Sequence, residues 1–182
     1  MGIDKVAVIG AGTMGAGIAQ VCAQAGWNTT LYDAFPEGLE KGMQRVDAFW
    51  DKGIARGKTT VEQKQEWSKN LHAESDLEKA VKDCDLIIEA VPEILELKQQ
   101  IFQEVEQYTN RNAVFATNTS SLSIGKIAGA INRPERLIGM HFFNPVPIMK
   151  LLELVRHDKT SSETVNVAEE AGLIMQKTTI LV

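Results

Sequence analysis

A chain of 182 residues, 44% hydrophobic and 24% charged, can bury one sizeable core and belongs among globular rather than disordered proteins. Its net charge of -5 argues against a nucleic-acid partner held by overall positive charge. No apolar run reaches the roughly 18 residues needed to cross a bilayer, and MGIDKVAVIGAG lacks the basic and apolar regions of a secretion signal, so a cytoplasmic protein with no membrane partner is expected.

Residues 3–9 alternate loosely between apolar and small side chains and break at glycine, which predicts a buried strand. A helix of small residues follows over 12–25, stopped by Gly26. A second strand over 28–32 leads into Asp33. From 36 to 70 the pattern is helical and charged, broken near 53–57, which predicts two helices projecting as a hairpin. A short strand at 71–73, a brief helix at 76–82 and a strongly apolar strand at 86–90 come next. In PEILELKQQIFQEVEQY, residues Ile94, Leu97, Ile101, Val105 and Tyr108 recur at helical spacing behind a proline in the first turn. The rest predicts strands at 113–116, 137–141, 151–155 and 178–182, with helices at 123–128 and 162–175. Cys22 and Cys84 fall in regular elements without metal-type spacing, so both are expected to be reduced core residues and no metal site is expected. Strands alternating with helices imply an α/β fold, a mostly parallel doubly wound sheet. The final KTTILV is apolar and without turn residues, so the strand, and the natural chain, are expected to continue.

The stretch GAGTMG, comprising Gly10, Ala11, Gly12, Thr13, Met14 and Gly15, matches the dinucleotide fingerprint G-x-G-x-x-G. The motif alone is weak; here it follows a predicted strand, opens a predicted helix and precedes a strand ending in an acid. Gly10 permits the tight turn, Gly12 lets backbone approach a pyrophosphate, and Gly15 allows close helix packing. Asp33, 18 positions after Gly15, suits the adenosine ribose hydroxyls and would repel an extra phosphate, so NAD is favoured over NADP. A plain glycine-rich turn and an FAD site remain alternatives on these residues alone.

HFFNPVPIMKLLELV places His141 and Glu153 among residues that favour burial. Each is costly to bury alone, and together they can satisfy one another. Spacing alone favours a structural pair over a catalytic one. Four stretches, VAVIGAGTMGAGIAQ, DLIIEAVPE, ATNTSSLSI and HFFNPVPIMKLLELV, occur in the order found in 3-hydroxyacyl-CoA dehydrogenases. The chain resembles the Rossmann-type NAD-binding domain of that family along nearly its whole length.

The resemblance implies oxidation of a (3S)-hydroxyacyl-CoA to the 3-oxoacyl-CoA with NAD as cofactor. It implies His141 as general base, Glu153 as its orienting partner, and Ser120 beside both substrate and nicotinamide. Imidazole, with a reference pKa near ~6.5, suits removal of a hydroxyl proton near neutrality. Glu93, Lys98 and Asn144 match contacts to the nicotinamide half, although the first two also fit helix-surface charge and Asn144 a turn starter. Phe142 and Phe143 read as packing against water, Asn118 as a loop-ordering residue, and Ser121 as the cap of the following helix. The family grips CoA with its helical hairpin; Lys52, Arg56 and Lys58 are the candidates here, in a hairpin shorter than usual where solvated surface is the plainer alternative. The resemblance also implies a helical C-terminal domain beyond residue 182 and a homodimer formed through it. A non-catalytic relative that keeps the cofactor fold, and a dehydrogenase of similar fold acting on another hydroxy substrate, are the competing readings. His72 and His157 have no assigned partners and read as surface or strand-end residues.

Overall fold

The computed structural model describes residues 2–182. Eight strands form a single sheet in the order β3-β2-β1-β4-β5-β6-β7-β8, with β1 at Lys5–Ile9, β2 at Asn28–Tyr32, β3 at Leu71–Glu74, β4 at Leu86–Glu89, β5 at Val114–Thr117, β6 at Leu137–Phe142, β7 at Leu151–Val155 and β8 at Thr178–Leu181. All neighbouring pairs are parallel except β6 with β7. The order through β6 is that of a doubly wound dinucleotide-binding sheet, with the reversal between β1 and β4. The expected α/β architecture is therefore present.

Among the described residues, seven α-helices connect the strands: α1 at Thr13–Gln24, α2 at Pro36–Ala55, α3 at Val61–Ser68, α4 at Leu77–Val81, α5 at Leu95–Tyr108, α6 at Ile124–Ala128 and α7 at Ser162–Ile174. Because helices cover both faces, the central strands are apolar on both sides. Val6 and Val8 enter the core shared with Ile18 and Leu31, while Ala7 and Ile9 enter a second core with Phe102, Val105 and Ile127.

The predicted hairpin is α2 with α3. Trp50 fastens it to α1: its ring is 3% exposed, and Nε1 donates to Gln24 Oε1 at 2.9 Å. Trp67 of α3 leans on that ring with centroids 5.9 Å apart. A capping box between Thr60 and Gln63 starts α3, so the break runs over residues 56–60 and overlaps the predicted one at Arg56 and Gly57.

Two local expectations are corrected. Helix α6 is capped by Ser123, whose side chain accepts from Lys126 N, rather than by Ser121. In α5 the inward stripe is Lys98, Phe102 and Val105, whereas Ile94 is 52% and Tyr108 37% exposed. The helix starts at Leu95, one residue after Ile94, and its buried face accommodates a lysine because carboxylates await it there.

Candidate active site

The turn after β1 is shaped by two glycines. Gly10 has φ +105°, and a Cβ there would lie 2.7 Å from Ala90 O. A Cβ on Gly15 would collide with the Gly10 carbonyl, so α1 could not lie so close to the turn. Gly12 is the N-cap of α1; no side chain caps the helix and its first turn carries no acid. The leading amides thus point into open space that suits a pyrophosphate. Asp33, at the end of β2, accepts from Ala11 N and from Phe35 N, both at 2.9 Å. Two backbone donors fix this carboxylate at the rim of the same pocket.

That pocket, about 920 Å³, runs along the carboxyl ends of the parallel strands from Asp33 and Phe35 past Gly10–Met14 to Ser120, His141 and Asn144. It gathers most of the residues expected at a cofactor site, with Glu93 and Lys98 on its other wall. The fit to a dinucleotide rests on the uncapped helix, the fixed carboxylate and this elongated shape.

His141 and Glu153 face each other across the antiparallel pair β6–β7. His141 Nδ1 lies 2.9 Å from Glu153 Oε1. Their side chains are 21% and 36% exposed, so the pair sits at an open rim rather than in the core that the apolar surroundings suggest. The Phe143 ring packs 4.5 Å from the imidazole, and Phe142 is fully buried. Asn118 Oδ1 accepts from Phe142 N at 2.9 Å, tying the loop after β5 to the strand that carries His141.

A buried polar network underlies Ser120. Glu89 is 0% exposed at the end of β4 and accepts from Thr117 Oγ1 at 2.6 Å, from Val91 N at 2.8 Å and from Lys98 Nζ at 2.5 Å. Lys98, 1% exposed, also meets Val91 O and Glu93 Oε1, each at 3.0 Å. The helix-surface alternative for Lys98 is therefore wrong. Glu93 Oε2 in turn accepts from Thr119 Oγ1 at 2.7 Å, Ser121 Oγ at 3.2 Å and Ser120 N at 3.3 Å. Desolvation tends to raise the Glu93 pKa, but hydrogen bonds from Thr119 and Lys98 prevail and hold its carboxyl below the usual range. Glu89, Thr117 and Thr119 were not singled out by sequence reasoning. The available signal was an acid closing the otherwise apolar run LIIE.

A second cleft of about 710 Å³ separates the hairpin from the 144–148 segment and meets the first at Thr13 and Asn144. Lys52, Arg56 and Lys58 line it together with Arg45, and no acidic residue does. Arg45 was missed because it lies earlier on α2, where its helical position alone gave no hint. Elsewhere, Cys22 and Cys84 are buried free thiols. Burial pushes the Cys84 thiol up to about 12; Lys5 opposes the rise, and Asp85 and Asp83 add to it. His72 is exposed, and His157 just past β7 engages Pro134 O and Lys159 N. Among the described residues no acid, histidine or cysteine cluster suits a metal, and no helix is long and apolar enough to cross a membrane.

Residues 5–182 match the sequence profile of the 3-hydroxyacyl-CoA dehydrogenase NAD-binding domain. The 3-hydroxyadipyl-CoA dehydrogenase of Escherichia coli K12 is 42% identical over 163 residues, covering 90% of this chain and 34% of its own. The 3-hydroxybutyryl-CoA dehydrogenase of Bradyrhizobium diazoefficiens is 40% identical over 168 residues, covering 92% and 57%. The crystal structure of (S)-3-hydroxybutyryl-CoA dehydrogenase from Ralstonia eutropha superposes with a TM-score of 0.96 at 38% identity, covering 99% of this chain and 63% of that one. The chain thus spans between a third and two-thirds of the length of these relatives.

Proposed function

The chain belongs to the 3-hydroxyacyl-CoA dehydrogenase family through its NAD-binding domain, and from that premise we propose that it forms the hydride-transfer half of an enzyme oxidising (3S)-hydroxyacyl-CoA to 3-oxoacyl-CoA. NAD, when bound, supplies the hydride acceptor. The free amides of α1 would hold its pyrophosphate, and the Asp33 carboxylate its adenosine ribose.

The observation that carries the reading is the state of His141. Its Nδ1 is taken by Glu153 at 2.9 Å, while among the described residues Nε2 has no protein partner. Glu153 selects the tautomer with the proton on Nδ1 and a free lone pair on Nε2. Nε2 is thereby free to take the proton of the substrate's C3 hydroxyl. The same carboxylate stabilises the imidazolium that results. Ser120 lines the pocket together with His141 and Asn144, its backbone N–H donating to Glu93 Oε2 at 3.3 Å. Lys98 serves by fixing Glu93, since its donors already meet Glu89, Glu93 and Val91 O. The acyl-CoA diphosphate is assigned to the hairpin cleft, where four cations and no acids favour it.

Acetoacetyl-CoA reduction by NADH tests the reading directly. His141→Gln is expected to lower turnover by at least ~10²-fold with NAD affinity nearly unchanged. Near-normal turnover in that variant would remove His141 as the base. Binding of NADH without turnover of any 3-oxoacyl-CoA, even when the chain is joined to the second portion that its longer relatives carry, would favour a non-catalytic relative instead.

A further inference from the structure

Two lysines are buried among the described residues, and only Lys98 has a carboxylate partner. Lys177, 9% exposed, directs its ammonium at two carbonyls instead, Val146 O at 2.5 Å and Met149 O at 2.7 Å. Both carbonyls belong to the connection between β6 and β7, the strands that carry His141 and Glu153. This connection makes one helical turn, with Ile148 N and Met149 N both donating to Pro145 O. Its carbonyl end needs donors, and Lys177 supplies them. On the other side Val146 is pressed onto α1, where a Cβ on Gly17 would sit 3.0 Å from the Val146 Cβ. Lys177 itself is fixed at the α7–β8 junction by Lys177 N to Gly172 O at 2.9 Å and Thr178 N to Lys150 O at 2.8 Å. Burial and the nearby Lys150 both lower its pKa, so the ammonium is held in place against its own solvation.

We propose that Lys177 is a positioning residue for both clefts: by clamping the 145–149 turn it sets Asn144 at the cofactor pocket and Val146, Pro147 and Ile148 along the hairpin cleft. The inference rests on the dehydrogenase reading for the identity of the two ligands. Asn144, the residue just before the turn, lines both clefts, so a loosened clamp weakens both.

The test titrates NADH and CoA separately into the unaltered protein, Lys177→Met and Ile127→Ala. The methionine keeps the buried stem and removes the donors. Ile127 lies in the core on the opposite sheet face, so its truncation lowers stability without touching the turn. Lys177→Met is expected to weaken both ligands about tenfold, as two buried carbonyls lose their donor, with Ile127→Ala leaving both affinities unchanged. Unchanged affinities in Lys177→Met, or equal weakening in Ile127→Ala, overturn the proposal. Should Lys177→Met fail to fold, hydrogen exchange in the unaltered protein decides. The Ile148 and Met149 amides must exchange as slowly as those of β7, and exchange at open-peptide rates overturns the clamp. Failure of CoA to bind the unaltered protein counts against the dehydrogenase reading, and the NADH arm still judges Lys177.

Discussion

Lys98 has three donors and three protein acceptors, the carboxylates of Glu89 and Glu93 and the carbonyl of Val91. Replacing it with methionine would leave Glu89, 0% exposed, as a buried charge without its cation. Lys98→Met is expected to cost about 3–5 kcal/mol in urea unfolding and to weaken NAD binding by releasing Glu93 and the Ser120 loop. An unfolding midpoint equal to the parent's would show that the pair does not hold the strand ends together. Asp33 carries a separate expectation. Its oxygens are fixed by Ala11 N and Phe35 N, so the carboxylate cannot swing away from an added 2′-phosphate. Calorimetric titration should show NAD bound at least ~10²-fold more tightly than NADP, a difference of about 2.7 kcal/mol; equal affinities contradict that role. Residue types at recognisable spacing made Asp33 and the glycines legible in the sequence, whereas His141 and Glu153 became so through the family resemblance. Glu89 and Thr119 were not, because their partners come from three elements that only the folded sheet brings together.

At the scale of elements, periodicity revealed the strands well because their two-sided burial makes them continuously apolar. It misled for α5, where Ile94 and Tyr108 fit a helical stripe yet Lys98 takes the inward position. A buried lysine defeats any reading based on apolar spacing alone. The hairpin was legible as helical, while the cleft it makes was not, since its far wall is the 144–148 segment, about ninety residues further along the chain. That cleft collects Arg45, Lys52, Arg56 and Lys58. Exposed cations act on a diphosphate through a screened field, each contributing roughly 0.2–1 kcal/mol. A Lys52→Gln/Arg56→Gln/Lys58→Gln protein should therefore bind CoA about tenfold more weakly at low salt, and the difference should shrink as salt is raised. NADH affinity should be unaffected. Undiminished CoA binding by the triple variant would place the diphosphate elsewhere.

Across the whole molecule, the cofactor half of the site and the substrate half are unequally enclosed. The glycine turn, Asp33 and the Glu89–Lys98–Glu93 network are supplied within the sheet and its helices. The proposed catalytic pair is different: His141 and Glu153 remain 21% and 36% exposed at the rim. Beside them β8 is a sheet edge on which Ile180 is 50% and Leu181 42% exposed. Water at the imidazole weakens both the orientation of the substrate hydroxyl and the electrostatic stabilisation of the developing charge. The Bradyrhizobium relative devotes 57% of its length to the part matched here, leaving a second portion that could close this side. We expect the 182-residue chain to bind NAD but to reduce acetoacetyl-CoA at least ~10³-fold more slowly than the same chain fused to that second portion, a loss in keeping with several transition-state contacts removed together. NAD affinity should match in the two proteins, which separates a missing substrate wall from a misfolded cofactor site. Comparable turnover in both would show that His141, Glu153 and Ser120 already work at full strength in the open cleft.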